Sequence, residues 1–220
     1  MPNESVEPES SEVQRARMIE RQLRRRDIHD EAVLAAMFAV PREAFVPESR
    51  REKAYYDNAL PIGFEQTISQ PYMVARAAEL ARLSKRDRVL DVGLGSGYQA
   101  AVLSRLCAQV IGIEIVPELA ERARKTLEAL GFDNVSVRSG DGSLGLPESA
   151  PYDAILVAAG APRVPDALIE QLRIGGRLVI PVGDVDRQTL TVVTRTAYGH
   201  DTVEYDGCVY VPLRGAAGRA

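Results

Sequence analysis

Short apolar runs alternate with longer amphipathic segments along most of this chain, and this alternation predicts strands that alternate with helices. The apolar runs predict strands at 88–92, 109–114, 135–139, 153–158 and 177–182. The segments between them predict helices at 98–107, 117–130 and 165–172, the last ended by a glycine pair at 175–176. Strands joined by crossover helices form parallel sheets, so we predict an α/β fold with a doubly wound, mostly parallel sheet covered on both faces.

Different patterns flank this predicted core. Helical periodicity at 13–26, 31–38 and 72–83, with an ordered loop at 47–69, predicts an N-terminal helical extension. Two late apolar runs, 190–196 and 203–211, predict a C-terminal antiparallel hairpin. The predicted organisation is a disordered leader at 1–12, the extension with its covering loop at 13–83, the core at 84–213 and a flexible tail at 214–220.

Composition narrows the classes of function. A net charge of −4 argues against a broad basic footprint for nucleic acid. No apolar run approaches the ~20 residues that span a bilayer, and the acidic start lacks the features of a signal peptide. Cys107 and Cys208 are far apart and read as buried free thiols, and two histidines make a zinc site or a histidine-based triad hard to build. We therefore expect a cytoplasmic monomer with neither nucleic acid nor membrane as a partner.

A glycine-rich turn follows the first core strand. Asp91 lies in the apolar run 88–92, and Gly93, Gly95 and Gly97 then give the spacing G-x-G-x-G, with Ser96 between the last two, before a predicted helix. The dinucleotide fingerprint is G-x-G-x-x-G, so the shorter spacing favours S-adenosylmethionine over NAD. A plain glycine turn between a strand and a helix is the alternative interpretation.

Three further loops are predicted at the same edge of the sheet, where ligands of doubly wound folds bind. Glu114, followed by Ile115, ends the second strand 21 residues after Gly93 (114 − 93), where an acid can accept both ribose hydroxyls. The loop with Gly140, Asp141 and Gly142 offers a carboxylate for an exocyclic amine, unless it is a simple Asp-Gly turn. Small residues around Ala158 leave room for a ligand. Together the four loops predict a class I S-adenosylmethionine-dependent methyltransferase rather than an NAD-dependent oxidoreductase.

Several segments resemble the protein-L-isoaspartate O-methyltransferase family. The most specific is Thr-Ile-Ser-Gln-Pro-Tyr at 67–72, within the longer segment 59–72. The others lie at 40–47, 141–142, 151–155 and 210–213, so the resemblance covers roughly residues 17–213. It implies a Rossmann-like methyltransferase fold. It also implies methyl transfer from S-adenosyl-L-methionine to the free carboxylate of L-isoaspartyl residues in damaged proteins and peptides, which starts their repair.

The resemblance also suggests roles for particular residues. We assign Ser69 to orient the substrate carboxylate, although it could instead only cap the following helix. Thr67 and Ile68 are expected to line a wall shared by cofactor and substrate. Gln70 and the segment Val211, Pro212 and Leu213 are expected to bind substrate.

Two positions depart from the family pattern. Glu65 stands where glycine is common, and Leu94 stands where Thr, Cys or Ser is frequent. These departures leave open a methyltransferase of the same fold that acts on another carboxylate or small molecule. A non-catalytic module that binds the cofactor and recognises damaged segments is the third possibility.

Overall fold

Helices and strands alternate as expected in the computed structural model, which describes residues 9–218. Within that range the α-helices are α1 Ser11–Met18, α2 Glu31–Ala39, α3 Pro71–Ala81, α4 Tyr98–Ser104, α5 Pro117–Ala129 and α6 Asp166–Glu170. The strands are β1 Leu60–Gly63, β2 Gln66–Ile68, β3 Arg88–Val92, β4 Gln109–Glu114, β5 Val135–Ser139, β6 Tyr152–Val157, β7 Leu172–Gly183, β8 Gln188–Thr196 and β9 Gly199–Cys208.

The main sheet has the strand order β5-β4-β3-β6-β7-β8-β9. Strands β3 to β7 pair in parallel, whereas β8 and β9 add antiparallel pairs at one edge. The chain builds β3, β4 and β5 outward in one direction and then returns to place β6 on the other side of β3. The switch point therefore lies between β3 and β6. This confirms the predicted mostly parallel α/β fold with a C-terminal antiparallel hairpin.

Successive residues of the central strands face opposite sides of the sheet, because side chains alternate along a strand. Val89 of β3 packs with the N-terminal helices and with α3, α4 and α5 on one face. Leu90 and Val92 pack on the other face with Leu168 and Ile169 of α6. Both faces of β3 are thus buried, as is typical of a central strand in a parallel sheet.

The segment predicted as an ordered loop at 47–69 contains regular structure. A 3₁₀ turn spans Glu48–Lys53, and β1 and β2 form a small antiparallel sheet of their own. Each strand is too short to show a period of two, so the pattern could not predict it. The small sheet carries Thr67 and Ile68 as part of β2.

Other boundaries also differ from the prediction. The leader was expected to extend to residue 12, but α1 begins at Ser11, because the Ser10 side chain accepts a hydrogen bond from the Val13 N–H and caps the helix. Residues 1–8 lie outside the described range. The glycine pair 175–176 lies inside β7 rather than ending a helix, at a point where the β6–β7 register shifts. Gly176 fits there because a side chain would collide with backbone carbonyls.

Candidate functional site

A cleft of about 730 Å³ opens at the carboxyl ends of β3, β4 and β6, next to the switch point. Its walls are the turn after β3, the end of β4, the loop after β6, the end of β2 and the C-terminal segment around residue 212. This is the position at which open α/β sheets bind ligands.

The glycine turn keeps a shape that other residues would strain. Gly93 has φ +80°, and its N–H and that of Leu94 both donate to the Ile113 carbonyl of β4. Gly97 has φ +88°, and a Cβ there would approach Ala123 and Leu127 of α5 to within 3.4 Å. Glycine at these positions therefore lets the turn pack against α5 while the cleft side stays open.

Glu114 is fixed by two backbone donors at the end of β4. The Gly95 N–H donates to one carboxylate oxygen at 2.7 Å, and the Val116 N–H donates to the other at 2.9 Å. Each oxygen keeps further acceptor capacity for a hydroxyl group. The arrangement holds a carboxylate at the cleft wall in the place that the sequence predicted for a ribose acceptor.

Asp91 is fully buried on β3, two residues before the glycine turn. Gln99 of α4 donates to its Oδ1 at 2.6 Å, and Oδ2 has no hydrogen-bond partner among residues 9–218. Burial raises the pKa of Asp91 to about 7, opposed by the Gln99 hydrogen bond and assisted by the charge of Glu114. An acceptor thus remains unused below a cleft that Gln99 itself lines.

Asp141 lies beside the cleft rather than in its lining. Its Oδ1 accepts from the Ser143 N–H at 2.8 Å, and its Oδ2 accepts from the Ala216 N–H at 2.8 Å. Partial burial acts to raise the pKa of Asp141, but these hydrogen bonds outweigh it and hold the pKa below its usual value.

The contact with Ala216 also shows that the tail, predicted to be flexible from residue 214, is anchored over its described part, which ends at residue 218. It is anchored because the carboxylate satisfies a tail N–H.

The small β1–β2 sheet covers one side of the cleft. Ile62 is buried, and its Cδ1 atom lies 3.4 Å from where a Cβ on Gly95 would stand, so the sheet packs directly onto the glycine turn. The Arg122 side chain of α5 donates to the Ile62 carbonyl at 2.5 Å. These contacts hold Thr67, Ile68 and Ser69 at the cleft wall.

The C-terminal segment covers the other side. The Gly160 N–H donates to the Val211 carbonyl at 2.8 Å, and the Leu213 N–H donates to the Gly160 carbonyl at 2.9 Å. Gln188 reinforces the segment by accepting from the Tyr210 N–H at 2.7 Å. The segment 211–213 is thereby paired to the loop after β6 and lines the cleft.

A second cleft, of about 890 Å³, adjoins the first. The two clefts share a wall made of Thr67, Ser69, Ala158 and Val211. Gln70 lines only the second cleft. Two ligands bound side by side would therefore meet at this wall, which is the arrangement that a group transfer between them requires.

Ser69 does not cap the following helix. The N-cap residue of α3 is Gln70, which makes no side-chain cap hydrogen bond. The Ser69 carbonyl accepts from the Arg42 guanidinium at 2.8 Å, whereas its hydroxyl has no hydrogen-bond partner within residues 9–218. The hydroxyl is therefore available at the shared wall.

Most of the predicted site residues come together, and a few do not. Those that line the first cleft are Thr67, Ile68, Ser69, Gly93, Gly95, Ser96, Glu114, Ile115, Gly142, Ala158, Val211, Pro212 and Leu213. Those outside its lining are Asp91, Gly97, Gly140, Asp141 and Gln70. Asp91, Gly97 and Asp141 support the walls from behind through the contacts described above.

The structure adds residues that the sequence did not assign to the site. Further residues in the lining of the first cleft are Gln66, Val74, Val92, Leu94, Tyr98, Gln99, Ile113, Ala159 and Arg214. Val92, Ile113 and Ala159 end or follow core strands, so the strand ends could have indicated them. Tyr98 and Gln99 begin a helix that follows the turn. Nothing in the pattern indicated Arg214, because it lies in the predicted tail.

The structure shows the surroundings of both residues that depart from the family pattern. Leu94 is buried over Gly112 of β4, where a Cβ would stand only 2.5 Å from a Leu94 methyl group. Glycine at 112 thus makes the room that leucine at 94 needs. Glu65 adopts φ +59° in the β1–β2 turn, which explains why glycine suits this position, and its carboxylate pairs with Arg214 at 3.1 Å.

The described residues offer neither a metal centre nor a membrane segment. Between residues 9 and 218, no three His, Cys, Asp or Glu side chains are grouped so that they could hold a metal ion. Over the same residues, no helix has the length and apolar character to cross a bilayer.

Comparison with known proteins decides the family. The sequence model of the protein-L-isoaspartate(D-aspartate) O-methyltransferase family matches residues 13–218. The chain belongs to this family. The protein-L-isoaspartate O-methyltransferase of Opitutus terrae is 58% identical over 183 residues, which are 83% of this chain and 78% of the relative. Protein-L-isoaspartate O-methyltransferase 2 of Pelobacter propionicus is 55% identical over 213 residues, 95% and 94% of the two chains.

A solved structure of the family extends the comparison to the fold. A Plasmodium falciparum protein-L-isoaspartate O-methyltransferase superposes with a TM-score of 0.77 at 26% identity, covering 91% of this chain and 98% of its own. That protein was crystallised with S-adenosyl-L-homocysteine. The agreement over nearly the full length of both chains confirms the methyltransferase fold.

Proposed function

We propose that this chain transfers a methyl group from S-adenosyl-L-methionine to the free carboxylate of L-isoaspartyl residues in damaged proteins and peptides. The observation that carries the proposal is the wall shared by two clefts, with the free hydroxyl of Ser69 in it. Membership of the isoaspartyl methyltransferase family supports the substrate class.

The first cleft fits the cofactor. Glu114 offers two fixed carboxylate oxygens for ribose hydroxyls, and the glycine turn leaves backbone room for the methionyl part. The unused acceptor on Asp91 and the amide of Gln99 suit the polar amino-acid end of such a ligand. S-adenosyl-L-methionine, when bound, supplies a methyl group on a positively charged sulfur. The adenine would lie near Gly142, with Asp141 shaping that loop rather than binding it directly.

The second cleft fits the substrate. Gln70 and Val211 line it, whereas Pro212 and Leu213 line the first cleft. Val211 is paired to Gly160, so a peptide can lie along this residue at the edge of the second cleft. The Ser69 hydroxyl donates to the isoaspartyl carboxylate and aims one oxygen at the shared wall. Thr67 and Ala158 complete that wall and keep water away from the transfer.

The residues of the site agree with a reaction that needs no general base. A carboxylate with a pKa near 4 is already ionised at neutral pH and is itself the nucleophile. Within residues 9–218, no histidine lines either cleft. The protein's contribution is then mainly orientation, which accounts for about 7–11 kcal/mol in well-placed reactions.

A pair of matched peptides tests the proposal. We expect labelled methyl transfer from S-adenosyl-L-methionine to an isoaspartyl peptide and almost none to the same peptide with normal aspartate. Equal labelling of the two peptides would point to another carboxylate substrate. Cofactor binding in a calorimeter with no transfer to either peptide would favour a non-catalytic binding module.

Ser69→Ala tests the residue at the shared wall. We expect kcat to fall by about 100-fold while the Kd for S-adenosyl-L-homocysteine changes little, because misplacing the reacting oxygen by about 1 Å has an effect of this order. Ser84→Ala is the matched control, since that hydroxyl binds Asp87 away from both clefts. Unchanged turnover in Ser69→Ala would remove the assigned role.

We also infer that the protein acts in the cytoplasm, as a monomer, on proteins and peptides rather than on nucleic acid or at a membrane. The acidic net charge and the two free cysteines support this inference. Sedimentation of the pure protein tests the oligomeric state.

A further inference from the structure

Arg42 is a fully buried arginine without an acidic partner in the described residues. Its side chain is 0% exposed, and no carboxylate within 9–218 forms an ion pair with it. Its Nε donates to the Ala54 carbonyl at 2.7 Å, and its Nη2 donates to the Ser69 carbonyl at 2.8 Å. A buried charge that is not paired with an opposite charge is costly, and an apolar side chain of similar size is often at least as good for stability. A contribution to folding alone therefore does not explain why a guanidinium is placed here.

The guanidinium joins the elements that form the shared wall. Ala54 follows the 3₁₀ turn Glu48–Lys53 in the covering segment, and Ser69 links β2 to α3. The third contact is with Tyr98, whose ring centroid lies 4.8 Å from the centre of the guanidinium. Tyr98 begins α4 directly after the glycine turn and lines the first cleft. The rigid, planar guanidinium of Arg42 thus contacts both Ser69 at the shared wall and Tyr98 beside the glycine turn.

The contact with Ser69 is on its carbonyl, which leaves the hydroxyl free. A hydrogen bond to this carbonyl fixes the plane of the peptide that follows Ser69, and hence limits where the Cβ and hydroxyl can lie. Ser69 has neither a helix-capping bond nor any other hydrogen bond of its hydroxyl within residues 9–218 to orient it. The position of the hydroxyl therefore depends on the backbone that Arg42 holds.

We propose that Arg42 is a positioning residue for methyl transfer: its guanidinium holds the Ser69 backbone so that the hydroxyl stands at the wall between the two clefts. This inference rests on the proposed function, because it acts through the role assigned to Ser69. Only a planar fork can donate to two carbonyls while stacking on the Tyr98 ring. A lysine keeps the charge but loses this geometry.

A double-mutant cycle between Arg42 and Ser69 tests the proposal. We expect Arg42→Lys to lower kcat on an isoaspartyl peptide by about 10- to 100-fold, as a displacement of about 1 Å would. In the Ser69→Ala background the same substitution should change kcat by less than about twofold, because the hydroxyl that it positions is already absent. Arg42→Met should lower kcat at least as much as Arg42→Lys, with the same loss of effect in the Ser69→Ala background.

Arg177→Met is the matched control. Arg177 donates to the Leu80 carbonyl near the C-terminal end of α3, at 2.5 Å, so the variant loses a comparable side-chain to backbone bond without touching the shared wall. We expect its kcat to equal that of the wild type. Thermal melting of each variant shows which variants are folded. If Arg42→Met does not fold, the proposal is judged on the double-mutant cycle between Arg42→Lys and Ser69→Ala.

Two results would overturn the proposal. One is wild-type turnover in Arg42→Lys. The other is a double variant whose loss equals the product of the two single losses within about twofold, because independent sites add in free energy. If the wild-type protein does not methylate the peptide, the proposed function itself fails, and if Ser69→Ala is fully active, the assignment of Ser69 fails and takes this inference with it.

Discussion

Three carboxylates near the first cleft have different surroundings, and these surroundings separate their roles. Glu114 accepts from two backbone N–H groups and stays at the wall. Asp141 is used by the tail and by its own turn. Asp91 is buried with a single amide donor, and burial raises its pKa to about 7. Residue type alone would have treated all three as equivalent acceptors. Their hydrogen-bond partners show that Glu114 and Asp91 keep acceptor capacity on the cleft side, whereas Asp141 is occupied by its own turn and by the tail.

The raised pKa of Asp91 predicts how stability changes with pH. An unfolded aspartate has a pKa of 3.8, and the folded value is about 7. Between these values the folded state keeps a proton that the unfolded state has released, so the free energy of unfolding falls as pH rises through that window. The contribution of Asp91 is fully present below about pH 4 and is lost above about pH 7.

Asp91→Asn should remove this dependence. We expect the stability of the variant relative to the wild type to increase by about 2 kcal/mol between about pH 5 and about pH 8, measured by urea unfolding. Asp133→Asn, at an exposed position, serves as the control. Parallel pH curves for Asp91→Asn and the wild type would show that the carboxyl titrates normally in the folded protein.

At the scale of elements, the β1–β2 sheet turns an open sheet edge into a cleft. It is small and would not be stable alone, since isolated two-stranded sheets are marginal in water. Its position depends on Ile62 packing against Gly95 and on the Arg122 hydrogen bond to the Ile62 carbonyl. Because β2 leads directly to Ser69, the position of this sheet also decides where the shared wall stands.

Arg122→Met should loosen this sheet while α5 stays folded. We expect faster amide exchange over 60–68 and a higher KM for S-adenosyl-L-methionine, with a loss of stability of about 1–3 kcal/mol for the unpaired carbonyl. Arg195→Met is the control. Arg195 donates to the backbone carbonyls of Glu170 and Leu172, at the end of the main sheet that lies away from the cleft. Unchanged exchange over 60–68 would mean that Ile62 packing alone holds the sheet.

At the scale of the whole molecule, the two ends of the described chain close the site around a central sheet. The N-terminal extension supplies Arg42, the β1–β2 sheet and Ser69. The C-terminal segment returns from the antiparallel hairpin to pair with Gly160, and its tail then reaches Asp141 and Ser143. Glu65 and Arg214 join these two coverings by an ion pair. Exposed pairs of this kind contribute only about 0–1 kcal/mol, so the hydrogen bonds at the sheet edge do most of the anchoring.

Shortening the chain to end at Leu213 tests the anchoring of the tail. We expect weaker binding of S-adenosyl-L-homocysteine by calorimetry, because Arg214 leaves the cleft lining and Asp141 loses the Ala216 N–H. Stability should fall by about 1–3 kcal/mol, the usual effect of losing a hydrogen bond to a charged group. A chain that ends at Gly218 keeps the described contacts and is the control. Equal affinity in the two shortened chains would mean that the tail has no part in the cleft.

The sequence by itself determined the core sheet, the glycine turn and Glu114, because short apolar runs, turn glycines and the spacing from Gly93 to Glu114 are local signals. The family resemblance added Ser69 and the substrate. Tertiary structure alone decided that β1 and β2 form a sheet, that the tail is anchored on Asp141, and that Arg42 holds the Ser69 carbonyl. These features depend on hydrogen bonds between residues 27 to 75 positions apart, or on strands of three or four residues. Such contacts leave no periodic mark on the sequence, since they exist only once the chain has packed around the sheet edge.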